Sequence, residues 1–242
     1  MPTLIADTAE QRGVERVTGL LAELAVHERN AIQRASEVQF RAAGDVLLRA
    51  NARSRSAFFP INAVVSVVRL LDDNRSVEVG LLGSEGMIGM DALLETRNDL
   101  DEVVVQSAGF VYCMPAEDLR HLFDATGRLQ KSILRFTHAF LGQVAQNAVC
   151  SRYQHELRQR VAKWLLMIDD RSGGLEAGTS VRLLAAALGA EELEIGRALA
   201  ELATAGAVQR RRTSLAVRRE VLETAACECY DTVRLNGRVE AR

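Results

Sequence analysis

Two short helical patterns joined at Gly189 constrain the fold of this chain more than any other feature. "SVRLLAAALG" predicts a short helix that Ser180 caps at its N-terminus and that Gly189 ends, since glycine readily adopts the left-handed conformation. "GAEELEIGRALAEL" predicts a second helix, in which Ile195, Leu199 and Leu202 recur at spacings of four and three along one apolar face. The pair therefore indicates a helix-turn-helix.

A strongly basic segment follows the second helix. "AVQRRRTSLAVRR" predicts a short pair of strands, and it carries Arg210, Arg211, Arg212, Arg218 and Arg219. A hairpin after a helix-turn-helix is typical of winged DNA-binding domains, in which basic side chains contact phosphate oxygens. Double-stranded DNA is therefore the partner that this segment favours.

The outward face of the second helix is acidic, which is unusual for a helix that contacts DNA. Glu191, Glu192, Glu194 and Glu201 stand against the single Arg197. Acidic residues in a first turn stabilise a helix through its dipole, but they repel phosphates. The stretch consequently supports the fold more strongly than it supports the DNA contact.

The first half of the chain has the pattern of an antiparallel β domain. A β-branched run covers residues 64–71, and Val77, Val79 and Leu81 alternate with more polar residues, which is typical of a strand with one buried face. Several such strands between Phe40 and Met114 predict a barrel or sandwich of roughly 75 residues. Residues 13–39 predict one or two helices that cover it.

A long helical pattern begins after Gly127 and carries an apolar seam. The seam consists of five residues at spacings of four, three, four and four: Leu129, Ile133, Phe136, Phe140 and Val144. Such a seam can pack against the chain's own barrel or against the same helix of a second copy. We expect the second arrangement, a dimer helix, and hence a homodimer.

The order of these elements resembles the CRP/FNR transcription regulators, most specifically in "FFPINAVVSVVRLLDDNRSVEVGLLGSEGMIGM", "RQRVAKWLLMIDDRSGG" and "LLAAALGAEELEIGRALAELATAGAV". The resemblance implies an α+β fold with an antiparallel β-barrel or jelly roll of the cyclic-nucleotide-binding type, a long dimerisation helix and a C-terminal winged helix-turn-helix. It implies N-terminal helices and a sensor barrel over 1–126, the dimerisation helix over 127–153 and the DNA-binding domain over 154–242. The residues that it implies for DNA contact are Ser180, Glu192, Gly196, Arg197, Arg210, Arg211 and Arg212.

The barrel departs from the members of that family that bind cyclic AMP. Those members follow a barrel glycine with a glutamate and place an arginine beside a serine or threonine about ten residues later, whereas Met90 follows Gly89 here. Arg97 is the one basic residue of the corresponding region, and acidic residues surround it in the sequence. Because these carboxylates would repel a cyclic phosphate, we expect no cyclic AMP binding in the usual mode. "GSEGMIG" could still offer backbone N–H groups to an anion. The candidate ligand-binding residues are Gly83, Glu85, Gly86, Gly89 and Arg97.

Composition adds few constraints. The net charge of the 242 residues is −2, and no apolar run approaches the about 20 residues of a membrane span. We expect no membrane partner, no secretory signal and a cytoplasmic location. The cysteines and histidines form no recognisable ligand spacing, so neither a metal site nor a cofactor is predicted. They are Cys113, Cys150, Cys227, Cys229, His27, His121, His138 and His155.

The sequence bears on three classes of function: an enzyme, a transcription regulator and a sensor or adaptor. No nucleophile–base pair or phosphate loop supports an enzyme. A homodimeric transcription regulator is favoured by the basic hairpin, and a sensor or adaptor that acts through a protein partner is favoured by the acidic helix. An unidentified small-molecule effector is compatible with either.

Overall fold

The computed structural model describes residues 19–52, 54–71, 76–96, 101–152, 155–172, 180–211 and 215–237. Two helices, α1 (Gly19–Ala22) and α2 (Val26–Ala35), precede the barrel. The N–H of Ala25 donates to the Glu28 carboxylate at 2.8 Å, which caps α2 although Ala25 offers no side-chain acceptor. The N-terminal cover that the sequence predicts is thus present from Gly19 onwards.

Seven strands form two antiparallel sheets, of order β1-β7-β3 and β2-β6-β4-β5. The bounds are β1 Glu37–Arg41, β2 Val46–Leu48, β3 Ser56–Pro60, β4 Val64–Leu70, β5 Ser76–Leu82, β6 Asp101–Ser107 and β7 Gly109–Pro115, with a short helix α3 (Met90–Leu93) between β5 and β6. Strand β4 pairs with β5 on one side and β6 on the other, and three of its four valines are buried: Val64, Val65 and Val68. The predicted antiparallel jelly-roll class is confirmed.

A short helix α4 (Ala116–Ala125) leads into the long helix α5 (Gly127–Arg152). The seam of α5 packs against its own barrel: Leu129, Ile133 and Phe136 are buried in the barrel core, and Phe140 packs against the same core. A Cβ on Gly86 would lie 2.3 Å from the Phe136 ring, so the helix approaches the barrel as closely as glycine permits.

This packing corrects the predicted dimer seam. Four of the five seam residues pack on the barrel core, because a domain of this size must cover its open apolar side and the nearest apolar surface belongs to the same chain: Leu129, Ile133, Phe136 and Phe140. Val144 is half-buried at the end of the seam. The opposite face of α5 leaves Leu134 and Leu141 60% and 62% exposed.

Within the described residues after α5, the chain forms five helices and one hairpin. Their bounds are α6 Leu157–Ser172, α7 Val181–Leu188, α8 Glu192–Thr204, β8 Val208–Arg210, β9 Leu215–Val217, α9 Arg219–Ala225 and α10 Cys229–Gly237. Their core surrounds Trp164 and Leu165, and it includes Val64 and Leu81 from the barrel. The C-terminal helices are therefore packed directly onto β4 and β5. No helix in the described part of the chain has the length and apolar character needed to span a bilayer.

Candidate functional site

The turn between α7 and α8 has the predicted local geometry. Ser180 Oγ accepts the N–H of Leu183 at 3.1 Å, and Gly189 ends α7 in the left-handed region at φ 61°. The N–H of Ala190 then donates to the carbonyl of Ala185 at 3.0 Å, which closes the turn. The predicted N-cap and C-terminal glycine are confirmed.

Helix α8 separates its buried and exposed residues as the sequence predicts. Ile195, Leu199 and Leu202 are buried together with Ala198. The outward surface, which we call the α8 face, consists of Glu192, Leu193, Gly196, Arg197 and Ala200. Leu193 is 64% exposed. Within the described chain, Arg197 takes part in no ion pair, so its guanidinium is available to a ligand.

Two of the three acidic residues of α8 have partners within the chain. The Glu194 carboxylate accepts the N–H of Glu191 at 3.0 Å and thereby satisfies a donor at the start of the helix. Glu201 lies 3.8 Å from the Arg158 guanidinium. Glu191 and Glu192 remain as the acidic side chains that a ligand approaching the N-terminal turn would meet.

The hairpin after α8 is a two-stranded antiparallel ladder in which Val208 pairs with Val217. Its arginines are described to different extents. Arg211 and Arg218 are exposed, whereas the side chain of Arg210 and the whole of Arg212 lie outside the described residues.

Arg219 is a structural residue rather than a free cation. Its guanidinium donates to Asp169 at 2.8 Å, to Asp170 at 2.7 Å and to Glu223 at 3.0 Å. These carboxylates neutralise its charge and hold α9 against the end of α6. The expected group of five phosphate-contacting arginines is therefore reduced by one.

The predicted ligand-binding glycines lie in the turn between β5 and α3, far along the chain from the α8 face. In that turn Glu85 Oε2 accepts the N–H of Gly83 at 3.0 Å, and Glu85 Oε1 accepts from Arg171 Nε at 2.6 Å. The chain's own carboxylate thus takes the place that an anionic ligand would need at Gly83. Gly89 serves α3 as its left-handed N-cap, and Arg97 lies outside the described residues.

Two cavities lie where the barrel meets its neighbours. One of about 200 Å³ is bounded by α1, Glu85 and the Ser132–Phe136 part of α5. The other, of about 300 Å³, is bounded by Ser84, Glu85, α6 and Arg234 of α10. The cavity of about 300 Å³ reaches the lower limit of ligand pockets, whereas the cavity of about 200 Å³ falls below it.

Glu78 on β5 is buried at the boundary between the barrel and α6. Trp164 Nε1 donates to Glu78 Oε2 at 2.9 Å, and the Ser66 hydroxyl donates to the same oxygen. Burial raises the pKa of Glu78 to about 7, although the two hydrogen bonds and the nearby Lys163 oppose the rise.

Four potential metal ligands, which we call the Cys3His cluster, meet where α5 ends and α10 begins. Cys150, His155, Cys227 and Cys229 bring their ligand atoms within 4.8 Å of one another. A hydrogen bond from Cys227 lowers the pKa of Cys150, which favours its thiolate. The sequence analysis predicts no ligand spacing among the cysteines and histidines, yet the fold brings these four together. The signals in the sequence were a C-x-C pair and a C-x4-H pair.

Comparison with known proteins agrees with this architecture. Residues 38–126 match the family model of the cyclic nucleotide-binding domain. The chain thus contains a domain of the cyclic-nucleotide-binding type. No curated protein sequence matches the chain.

Solved structures extend the similarity beyond the barrel. FixK2 from Bradyrhizobium japonicum is 16% identical with a TM-score of 0.65, covering 79% of this chain and 98% of its own. The c-di-GMP-responsive global regulator CLP from Xanthomonas campestris is 18% identical with a TM-score of 0.63, covering 80% and 99%. A CRP/FNR-family transcriptional regulator from Thermus thermophilus is 17% identical with a TM-score of 0.62, covering 78% and 98%. The chain therefore has the fold of the CRP/FNR regulators.

Proposed function

We propose that this chain is a homodimeric transcription regulator that binds promoter DNA through α7, α8 and the β8–β9 hairpin, without control by cyclic AMP in the usual mode. The observation that carries the proposal is the α8 face: it is exposed, its Arg197 forms no ion pair within the described residues, and the basic hairpin follows α8 directly in the chain. DNA, as a polyanion with readable base edges, fits that combination.

The chemistry of the α8 face limits which bases it can read. Arg197 can donate two hydrogen bonds to guanine, Glu192 can accept from the amino group of cytosine, and the exposed Leu193 can contact a thymine methyl group. Gly196 leaves space for the DNA backbone or a base edge, since a Cβ there would meet nothing within 4 Å. The hydroxyl of Ser180 stands at the start of α7, where exposed N–H groups favour a phosphate.

The acidic residues at the start of α8 make DNA binding depend on ionic strength. Glu191 and Glu192 repel nearby phosphates, so affinity depends on Arg197 and on the hairpin arginines, including Arg210 and Arg212. Such binding is strong at low salt and falls steeply as salt is added, because bound counterions are released on association.

The homodimer uses the outward face of α5 in this proposal. Exposed residues on that face recur at spacings of four, three, four and three, as in a coiled coil: Leu134, His138, Leu141, Ala145 and Ala148. The small residues Ala145 and Ala148 allow two helices to approach closely near their C-terminal ends. This arrangement carries two α8 faces on one particle, which a palindromic site requires.

Control by cyclic AMP is disfavoured by what fills the space between the barrel and α5. The Phe140 ring lies 2.5 Å from where a Cβ of Gly80 would be, and Phe136 packs equally closely on Gly86. The Glu85 carboxylate forms an ion pair with Arg171, so it is not free to accept a hydrogen bond from a ribose hydroxyl. An unidentified effector would instead enter the cavity of about 300 Å³ beside Arg171 and α10.

A second candidate function is a sensor or adaptor that binds a protein. The observation that favours it is the exposed Leu193 beside Glu191 and Glu192, since an apolar side chain among acidic groups suits a basic, partly apolar protein surface.

Fluorescence anisotropy with DNA from the region upstream of the protein's own gene separates the two functions. We expect saturable binding at low salt that weakens at moderate salt and is lost when Arg210, Arg211 and Arg212 are replaced by alanine. Arg197→Ala should cost about tenfold or more in affinity, whereas Glu192→Ala and the exposed control Arg128→Ala should retain binding. Absence of binding at both salt concentrations would contradict the regulator and favour the adaptor.

A further inference from the structure

We propose that Cys150, His155, Cys227 and Cys229 form a closed tetrahedral Zn²⁺ site that fastens the C-terminal helix α10 to the end of α5. The site needs no DNA contact and does not rest on the proposed regulator function. Three cysteines and one histidine make one of the ligand sets that structural zinc sites use.

Three of the distances between ligand atoms match a tetrahedral zinc centre, and all ligand atoms lie within 4.8 Å of one another. With Zn–S and Zn–N bonds of about 2.3 and 2.05 Å, tetrahedral ligand atoms lie about 3.8 Å apart for two sulfurs and about 3.5 Å apart for sulfur and nitrogen. Cys150 Sγ lies 3.6 Å from Cys227 Sγ and 3.4 Å from His155 Nδ1. Cys229 Sγ lies 3.7 Å from His155 Nδ1.

The surroundings of the ligands also suit a bound cation. His155 directs Nδ1 towards the sulfurs, and its Nε2 lies 3.2 Å from Glu228 Oε1. A histidine that binds a metal through one nitrogen commonly donates its other N–H to a carboxylate, which fixes the tautomer and the ring orientation. The Gln146 side chain donates to Cys229 Sγ at 3.1 Å, as amides do around zinc-bound thiolates.

The alternatives explain less of this arrangement. A packing cluster of buried thiols would not need an imidazole nitrogen pointing into it, and a disulfide would hold one pair of sulfurs at about 2.05 Å. Cys150, Cys227 and Cys229 are all buried, and His155 is mostly covered, so four protein ligands fill the coordination sphere. With no position left for water, the site is structural rather than catalytic.

The location gives the metal a defined effect. Cys150 lies in the last turn of α5, His155 in the connection to α6, and the other two cysteines at the start of α10. Zinc would therefore join the long helix to the C-terminal helices at one point. Because such a site does not preexist in the unfolded chain, zinc binding contributes to folding free energy.

The first test measures metal in the full-length protein purified under reducing conditions. We expect one zinc ion per chain by elemental analysis, retained in Cys113→Ser and lost in Cys227→Ser and Cys229→Ser. Cys113 is the matched control because it lies in the barrel, outside the cluster. Cobalt substitution should give the visible absorption of a tetrahedral thiolate-bound ion, and a chelator should lower the melting temperature of the wild type but not of Cys227→Ser.

The second test does not depend on whether those serine variants fold. Glu228 is 80% exposed, so Glu228→Gln should leave the fold intact while lowering zinc affinity about 10–100-fold, measured by competition with a chromogenic chelator. Glu220→Gln, an exposed residue of α9, is the control. A thiol reagent should modify one cysteine before chelation and four afterwards.

Three results would overturn the proposal: substoichiometric zinc in the wild type, zinc retained by Cys227→Ser, or four equally reactive thiols before chelation. A Cys150–Cys227 disulfide in the reduced preparation would do the same. Equal zinc affinity of Glu228→Gln and the wild type would contradict the assigned role of Glu228 and with it the His155 ligand geometry.

Discussion

Trp164 donates its indole N–H to Glu78 across the boundary between the barrel and helix α6, at 2.9 Å. The acceptor is a buried carboxylate on β5, and the donor sits at the centre of the C-terminal core. Because both groups are removed from water, the protonation of Glu78 affects how firmly the two halves of the chain are joined.

Glu78 predicts a pH-dependent stability. Its pKa rises from 4.5 to about 7 on folding, so the folded state binds more protons in this interval and the free energy of unfolding decreases as pH rises through it. At pH values above about 7, the free energy of unfolding is therefore roughly 3 kcal/mol lower than it is below pH 4.5, as far as Glu78 contributes to it. Glu78→Gln removes this pH-dependent loss of stability. The variant should therefore be more stable than the wild type at pH 8, as measured by urea denaturation.

The comparison needs a second carboxylate that is exposed. Glu220→Gln should leave both the stability at pH 8 and its pH dependence close to those of the wild type. A parallel pH profile for Glu78→Gln and the wild type would show that Glu78 is ionised in the folded protein at neutral pH.

Gly86 predicts a steric test of the contact between α5 and the barrel. Its Cβ would stand 2.3 Å from the Phe136 ring, so Gly86→Ala should cost about 1–3 kcal/mol in unfolding free energy. Gly127→Ala, where a Cβ meets nothing within 4 Å, should be neutral or slightly stabilising. Adding Phe136→Leu to Gly86→Ala should recover part of the loss, and strictly additive effects would contradict the contact.

Leu141 predicts the oligomeric state. In the proposed dimer it lies on the seam between two α5 helices, so Leu141→Asp should shift the protein from dimer to monomer in sedimentation equilibrium. Leu94→Asp is the matched control, since Leu94 is 60% exposed at the end of α3, against 62% for Leu141. A wild-type monomer, or a dimer that tolerates Leu141→Asp, would rule out this seam.

Glu194 predicts which acidic residue of α8 serves the fold. Glu194→Ala and Glu192→Ala each remove one negative charge from the first turn, but only Glu194→Ala loses the hydrogen bond to the N–H of Glu191. We therefore expect Glu194→Ala to cost about 0.5–1 kcal/mol more than Glu192→Ala in thermal unfolding. Equal losses of stability in the two variants would mean that each carboxylate acts only through the helix dipole and that the hydrogen bond of Glu194 contributes nothing.

Features fixed by neighbouring residues could be predicted from the sequence. The cap at Ser180, the turn at Gly189 and the buried face of α8 each depend on residues within two turns of helix. The alternation that marks β5 and the β-branched run of β4 likewise identify an antiparallel barrel, because a strand's pattern reports which face is buried.

Features set by tertiary packing could not be predicted in the same way. Helix α5 has apolar residues on two faces, and the sequence does not say which face its own barrel covers; Phe136 faces the barrel and Leu141 does not. Cys150 and Cys227 are 77 residues apart, and only the packing of α10 on α5 brings them together. In the sequence, Arg219 cannot be distinguished from its basic neighbours, because only the fold places Asp169 and Asp170 beside it.

Selection of bound sequences from random double-stranded DNA, followed by sequencing, tests the central proposal most directly. A homodimer that reads DNA through two α8 faces should enrich an inverted repeat whose half-site centres lie about 10 base pairs apart, or a multiple of that spacing. Arg197→Ala should weaken the enrichment at one position in each half-site. Failure to enrich any sequence at low salt would contradict DNA reading by this chain.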